Sequence, residues 1–173
     1  VDTAERSSSP ARRPYTGFDG PNTGMTGGLA QWIIEARRTS QGVLWNNGSW
    51  GARDQRGRPG VPSVHQTGRA VDLSWRRYQG KGVVRGRPRA VEWIDRVIAA
   101  NDVLDVDCVL DYFPTPYGRG WRCDRQRWIN YTQKQIHGAP GGDWFHVEIG
   151  LRLAHDAAGV RAAFRQVFPD IPH

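Results

Sequence analysis

Two short segments of this 173-residue chain place metal-binding residue types at spacings that suit a shared site. The first is Ser63-Val64-His65-Gln66-Thr67-Gly68-Arg69-Ala70-Val71-Asp72 and the second is Asp143-Trp144-Phe145-His146. A divalent zinc takes about four tetrahedral ligands; a hydrolytic site draws three from the protein and leaves one position for water. Two histidines and one carboxylate supply that set, and His65, His146 and the aspartates Asp72 and Asp143 are the residues that could furnish it.

The elements that must carry these residues can be read locally. Gly68 stands between His65 and Asp72, which argues against a continuous helix and for a turn feeding a short strand. Val71, Leu73 and Trp75 alternate with Asp72 and Ser74, the period-two pattern of a strand with one apolar face. Asp72 therefore points away from the core. In the second segment Trp144, Phe145, Val147 and Ile149 are strand formers after the run Gly138-Ala139-Pro140-Gly141-Gly142, and His146 and Glu148 share a face. Asp143 precedes His146 by three positions, an odd offset that sends the two to opposite faces of a regular strand. Both face one metal only if Asp143 lies in the incoming loop.

The string Ser-x-His-x-x-Gly-x-Ala-x-Asp, with an acidic residue three positions before a second histidine, resembles the LAS group of zinc peptidases. That group includes D-alanyl-D-alanine carboxypeptidases and dipeptidases, and phage endolysins that cut the peptide stems of the bacterial cell wall. The resemblance implies His65, Asp72 and His146 as zinc ligands and Asp143 as the general base. Many members carry Glu at the base position; Asp is the variant that some phage endolysins share. The group also has an arginine upstream of the first histidine that steadies the tetrahedral intermediate, and Arg53 is the best-placed candidate, with Arg56 and Arg58 close by. The likeness spans about Gly28 to Phe168, but only the two short motifs are specific.

The chemistry implied is amide hydrolysis. Zinc lowers the pKa of a coordinated water from about 15.7 toward 7. Asp143 would take the proton and return it to the leaving amine, and Arg53 would stabilise the oxyanion. Ser63, Gln66 and His137 are expected to contact the substrate or to support the ligands, because a metal-bound histidine passes its other ring proton to a nearby acceptor. For Ser63 a plain turn role is the competing expectation.

The remaining sequence describes one domain. Residues 1–28 are rich in Ser, Pro, Gly and Arg without periodicity, and read as a linker or an arm draped over a peptidase domain of residues 29–173. Leu29 to Arg38 is helical in pattern, ending near Gly42. A second helix is expected over Pro88 to Ala100 with the proline in its first turn. Val109 to Phe113 reads as a strand, and Asp156 to Phe168 as a helix packing through Val160, Phe164 and Val167. Strands set among helices without βαβ alternation point to an α+β domain, a small mainly antiparallel sheet flanked by helices; the resemblance implies the LAS fold shared by hedgehog and DD-peptidase proteins.

Lys+Arg 24 against Asp+Glu 17 gives a net charge of +7, a field that attracts polyanions. Trp121 to Trp128 interleaves aromatics with arginines as a nucleic-acid surface would. No named nucleic-acid motif accompanies it, and anionic cell-wall polymers answer to the same field, so bacterial peptidoglycan is the expected partner. Trp121 and Trp128 are expected in a substrate groove formed by Pro114 to Gly142, whereas Trp32, Trp45, Trp93 and Trp144 are expected in the core or cleft wall. Cys108 and Cys123 are either bridged or both free. No apolar run approaches the roughly 18–20 residues of a membrane span, and no signal-peptide core is visible at Val1. A monomer made in a host cytoplasm and acting on the wall is expected, alone or as one domain of a longer lysin. The alternatives are a cellular D-alanyl-D-alanine carboxypeptidase or dipeptidase, a zinc-holding module that binds without turnover, and a nucleic-acid-binding protein.

Overall fold

The computed structural model describes residues 12–78, 83–134 and 141–172. Helix α1 (Gly27–Thr39) begins where Thr26 Oγ1 accepts from Leu29 N at 3.2 Å, supplying one of the bonds a helix start lacks. Leu29, Trp32 and Ala36, spaced for one helical face, are fully buried. Strand β1 (Trp45–Gly48) follows, then a small hairpin of β2 (Asp54–Gln55) and β3 (Arg58–Pro62). A 3-10 turn, Val64–Thr67, leads into β4 (Ala70–Ser74).

Helix α2 (Val83–Ala99) starts before the position expected, so Pro88 lies inside it rather than in its first turn. A helical proline costs its own N–H bond. Pro88 is exposed, where solvent can take the carbonyl left unpaired. A short helix α3 (Asn101–Leu104) precedes β5 (Val106–Asp111), which begins and ends earlier than the strand expected over Val109 to Phe113. Strands β6 (Arg119–Arg122) and β7 (Arg127–Asn130) form a hairpin. Strand β8 (Trp144–Ile149), helix α4 (Leu151–Ala154) and helix α5 (Ala157–Val167) complete the order.

The fold is α+β, with a six-stranded sheet in the order β1-β4-β8-β5-β6-β7. Each of its described pairings is antiparallel. Strand alternation sorts the two faces. On one, Val71, Leu73, Phe145, Val147, Val109 and Trp121 join Trp32, Trp93, Ile94 and Phe164 of the helices in a single core. On the other, Asp72, His146, Glu148, Cys108, Leu110 and Arg122 line a cavity.

This sorting corrects one expectation and decides another that was open. Trp121 is 2 % exposed and belongs to the core, with Trp128 packed against it, so neither forms a stacking platform for bases or a wall of the cavity. Cys123 packs into the core while Cys108 lines the cavity on the opposite face; both are free thiols. No helix among the described residues is long and apolar enough to cross a membrane.

The described part of the N-terminal segment packs on the domain. Arg13 pairs with Asp107 and donates to Val106 O at 2.6 Å. Arg69, itself buried, donates to Gly17 O at 2.6 Å and to Asp19 at 2.7 Å. The two terminal nitrogens of the buried guanidinium are thus matched by a carboxylate and carbonyls, while its Nε is buried without a partner.

Candidate metal centre

His65 sits in the 3-10 turn, whose first free N–H is taken by Ser63 Oγ, 3.3 Å from His65 N. The turn ends at Gly68, with φ +74 and a position where a Cβ would lie 2.3 Å from Gly24 O, so only glycine fits. Strand β4 then carries Asp72 out of the core. In the β4–β8 register Asp72 is directly opposite His146, which places residues distant in sequence side by side.

The three side chains converge on one point. His146 Nδ1 is 3.1 Å from His65 Nε2 and 3.1 Å from Asp72 Oδ1, and His65 Nε2 is 3.4 Å from Asp72 Oδ1. Ligands at about 2.0–2.1 Å in a tetrahedron are about 3.3 Å apart, so the donor set fits zinc in both chemistry and spacing. The remaining ring nitrogens are committed: His65 Nδ1 lies 2.6 Å from the Ser49 carbonyl, and His146 Nε2 lies 3.0 Å from Glu148 Oε1. Such outer partners fix the tautomer and ring orientation of metal-binding histidines. The triad could therefore hold a metal ion.

Without a metal these groups share protons. Burial alone would push the His146 imidazole down, but hydrogen bonds to Asp72 and Glu148 outweigh it and hold it up to about 9. Burial would likewise raise the Asp72 carboxyl, yet His146 and His65 keep it well below the usual carboxylate range. Glu148 is buried too, and is held low by His146 and by Tyr15, whose hydroxyl donates to Oε2 at 2.7 Å.

Of the three upstream arginines, Arg53 reaches the triad: its Nη2 is 3.8 Å from Asp72 Oδ2. Arg56 and Arg58 line the same cavity, Arg58 donating to Gln55 at 3.1 Å. Gln66 does not point at the triad. Its Nε2 donates to Arg53 O at 2.6 Å, and Ser63 N donates to the same carbonyl at 3.1 Å, so both residues pin the Arg53 loop to the turn that carries His65. Ser63 is thus a capping residue at the edge of the cavity.

Asp143 lies just before β8, in the incoming loop as its odd offset demands. Its carboxylate is taken by Arg76, with Nε 2.5 Å from Oδ2 and Nη2 2.9 Å from Oδ1. Ser74 Oγ donates to the Asp143 carbonyl at 3.0 Å. Asp143 is buried and stands outside the group of converging ligand atoms. His137 lies outside the described residues.

The cavity has a volume of about 590 Å³. Sequence reasoning missed several residues in and around it. Tyr15, from the N-terminal segment, and Arg125, in a turn, line the cavity, while the Ser49 carbonyl holds His65 and Arg76, also in a turn, holds Asp143. Only the His146–Glu148 contact had a readable signal, two residues apart on a strand. No protein-family model matches this chain, nor does any curated protein or solved structure.

Proposed function

We propose that this chain is a zinc-dependent peptidase of LAS type that hydrolyses an amide bond in the peptide stem of bacterial peptidoglycan, as the catalytic domain of a phage endolysin. The observation that carries this is the convergence of His65 Nε2, Asp72 Oδ1 and His146 Nδ1 at 3.1–3.4 Å, with the other ring nitrogens anchored, in the wall of a cavity.

His65, Asp72 and His146 would hold the metal. Bound in such a three-ligand site, zinc supplies Lewis acidity and makes water ionise near neutral pH. The chain's own residues do the rest. Asp143 accepts a proton from the attacking water and returns it to the leaving amine. To do so its carboxylate turns out of the Arg76 fork. Arg76 is 56 % exposed, so water takes over its side of the fork as the carboxylate turns. Arg53 donates to the carbonyl oxygen as negative charge develops there; one such donor is worth about 2.7–4 kcal/mol of barrier. Ser63 and Gln66 keep Arg53 in register with His65.

Digestion of purified muropeptides with and without a chelator, read by mass spectrometry, tests the assignment. Metal-dependent loss of one stem amide supports it. Removal of a C-terminal D-alanine alone would instead identify a carboxypeptidase, and zinc binding with intact peptides would identify a binding module.

A further inference from the structure

We infer that the end of the cavity around Arg125, on the β6–β7 turn, binds a carboxylate of the substrate peptide about three extended residues from the bond that is cut. The word substrate rests on the peptidase reading above; the anion site stands on its own geometry.

Arg53, Arg56, Arg58, Arg122 and Arg125 line the cavity, against Asp54, Asp72 and Glu148. The three carboxylates are already engaged: Asp72 and Glu148 by the histidines and Tyr15, Asp54 by Gly60 N at 2.8 Å. Arg122 is matched too, by Asp124 at 3.0 Å, with its guanidinium 4.4 Å over the Tyr15 ring.

Arg56, Arg58 and Arg125 have no carboxylate within ion-pair distance among the described residues, and of these three Arg125 is the one with a buried, unpartnered Nε. The one side-chain hydrogen bond of Arg125 among the described residues is from Nη2 to Gly120 O at 3.0 Å, so Nη1 has no partner. A guanidinium presents five donors, and a buried donor left unmet is costly. An incoming carboxylate would accept from the Nη1 and Nη2 end of the planar fork, which the Gly120 bond leaves only partly used.

The register gives the distance. Gly120 is opposite Leu110, which is opposite His146. Two strand spacings are about 10 Å, and an extended peptide covers about 3.3–3.6 Å per residue. A Cβ on Gly120 would meet the Tyr131 hydroxyl at 2.1 Å, so that hydroxyl lies directly over Gly120, beside the Arg125 contact.

The test is titration calorimetry with a synthetic stem pentapeptide in three forms: free acid, carboxamide at the γ-linked glutamate, and carboxamide at the C-terminus. The full chain is used, zinc-loaded and carrying Asp143→Asn so that the peptide stays intact. One of the two amides is expected to bind on the order of 10-fold to 100-fold more weakly than the acid, which identifies the carboxylate recognised. Arg125→Gln should erase that difference and leave amide affinity within about twofold, while Arg125→Lys keeps part of it. Equal binding of all three forms, no binding of any, or discrimination that survives Arg125→Gln overturns the inference. Should Arg125→Gln fail to fold, the unmodified arginine and the lysine variant decide. Mass spectrometry of the same peptides with the unsubstituted chain separates the two claims. Discrimination without cleavage leaves the subsite and removes the peptidase; cleavage without discrimination does the reverse.

Discussion

Arg76 grips both carboxylate oxygens of Asp143, at 2.5 and 2.9 Å, while Ser74 Oγ bonds the backbone carbonyl of the same residue. The two partners have different consequences. Ser74 Oγ and Trp75 N, at the end of β4, fix where Asp143 is; Arg76, largely in solvent, fixes which way its carboxylate turns.

Asp143→Asn keeps the shape and removes the proton acceptor, so kcat should fall by about 10²–10⁴-fold with bound zinc unchanged. Arg76→Ala leaves the buried Asp143 carboxylate without its paired donors and should cost about 1–3 kcal/mol of stability, but change kcat by less than about tenfold, far less than loss of the base. Steady-state kinetics beside metal analysis check both. A larger loss from Arg76→Ala than from Asp143→Asn would make Arg76, not Asp143, the reacting group.

Arg53 and Gln66 form a second pair. Arg53→Ala should lower kcat by about 10²–10³-fold. Gln66→Ala removes only the 2.6 Å bond to the Arg53 carbonyl and should cost less, because Ser63 N still holds that carbonyl. KM for the stem peptide should move little in both, as expected of a contact made in the transition state. Equal losses in the two variants would place Gln66 against the substrate.

The convergence of His65, Asp72 and His146 was legible because chemistry and pattern coincide there. Alternation around Asp72 and a strand after the glycine run at 138–142 are enough to aim Asp72 and His146 outward, and the antiparallel register does the rest. The hydrogen-bond partners of those side chains were less legible. The acceptor for His65 Nδ1 is a backbone carbonyl at Ser49, which any residue type could offer. Trp121 was misjudged because the polar residues around it hide the pleat: Arg122 faces the cavity while its neighbour Trp121 faces the core. Pro88 was placed too early because proline favours a helix's first turn but is tolerated later on an exposed face.

In the metal-free protein His146 is held up to about 9, above an ordinary histidine near 6.5. A raised folded value gives stability that is fully present below about pH 6.5 and lost as pH rises through 9. Asp72 and Glu148, both held low, contribute constantly across that window. Zinc binding must displace the His146 proton. Calorimetry in buffers of different ionisation enthalpy should therefore show proton release at pH 7.5 that shrinks above pH 9. Release that does not change with pH would remove His146 from the ligand set.

Two adjacent glycines give a control on packing. A Cβ on Gly28 would lie 1.8 Å from Leu153 O, whereas one on Gly27 meets nothing within 4 Å. Gly28→Ala should destabilise by about 3 kcal/mol, the upper part of the overpacking range, while Gly27→Ala should be neutral or stabilise by up to about 1 kcal/mol. Urea unfolding measures both. A tolerated Gly28→Ala would mean that α1 and α4 do not pack this closely.

The most direct test is anomalous scattering at the zinc absorption edge from crystals grown with zinc. One peak is expected within about 2.0–2.2 Å of His65 Nε2, Asp72 Oδ1 and His146 Nδ1 together, vanishing in His146→Ala. Crystals with no peak there, or with zinc bound only elsewhere, would contradict the account at its centre.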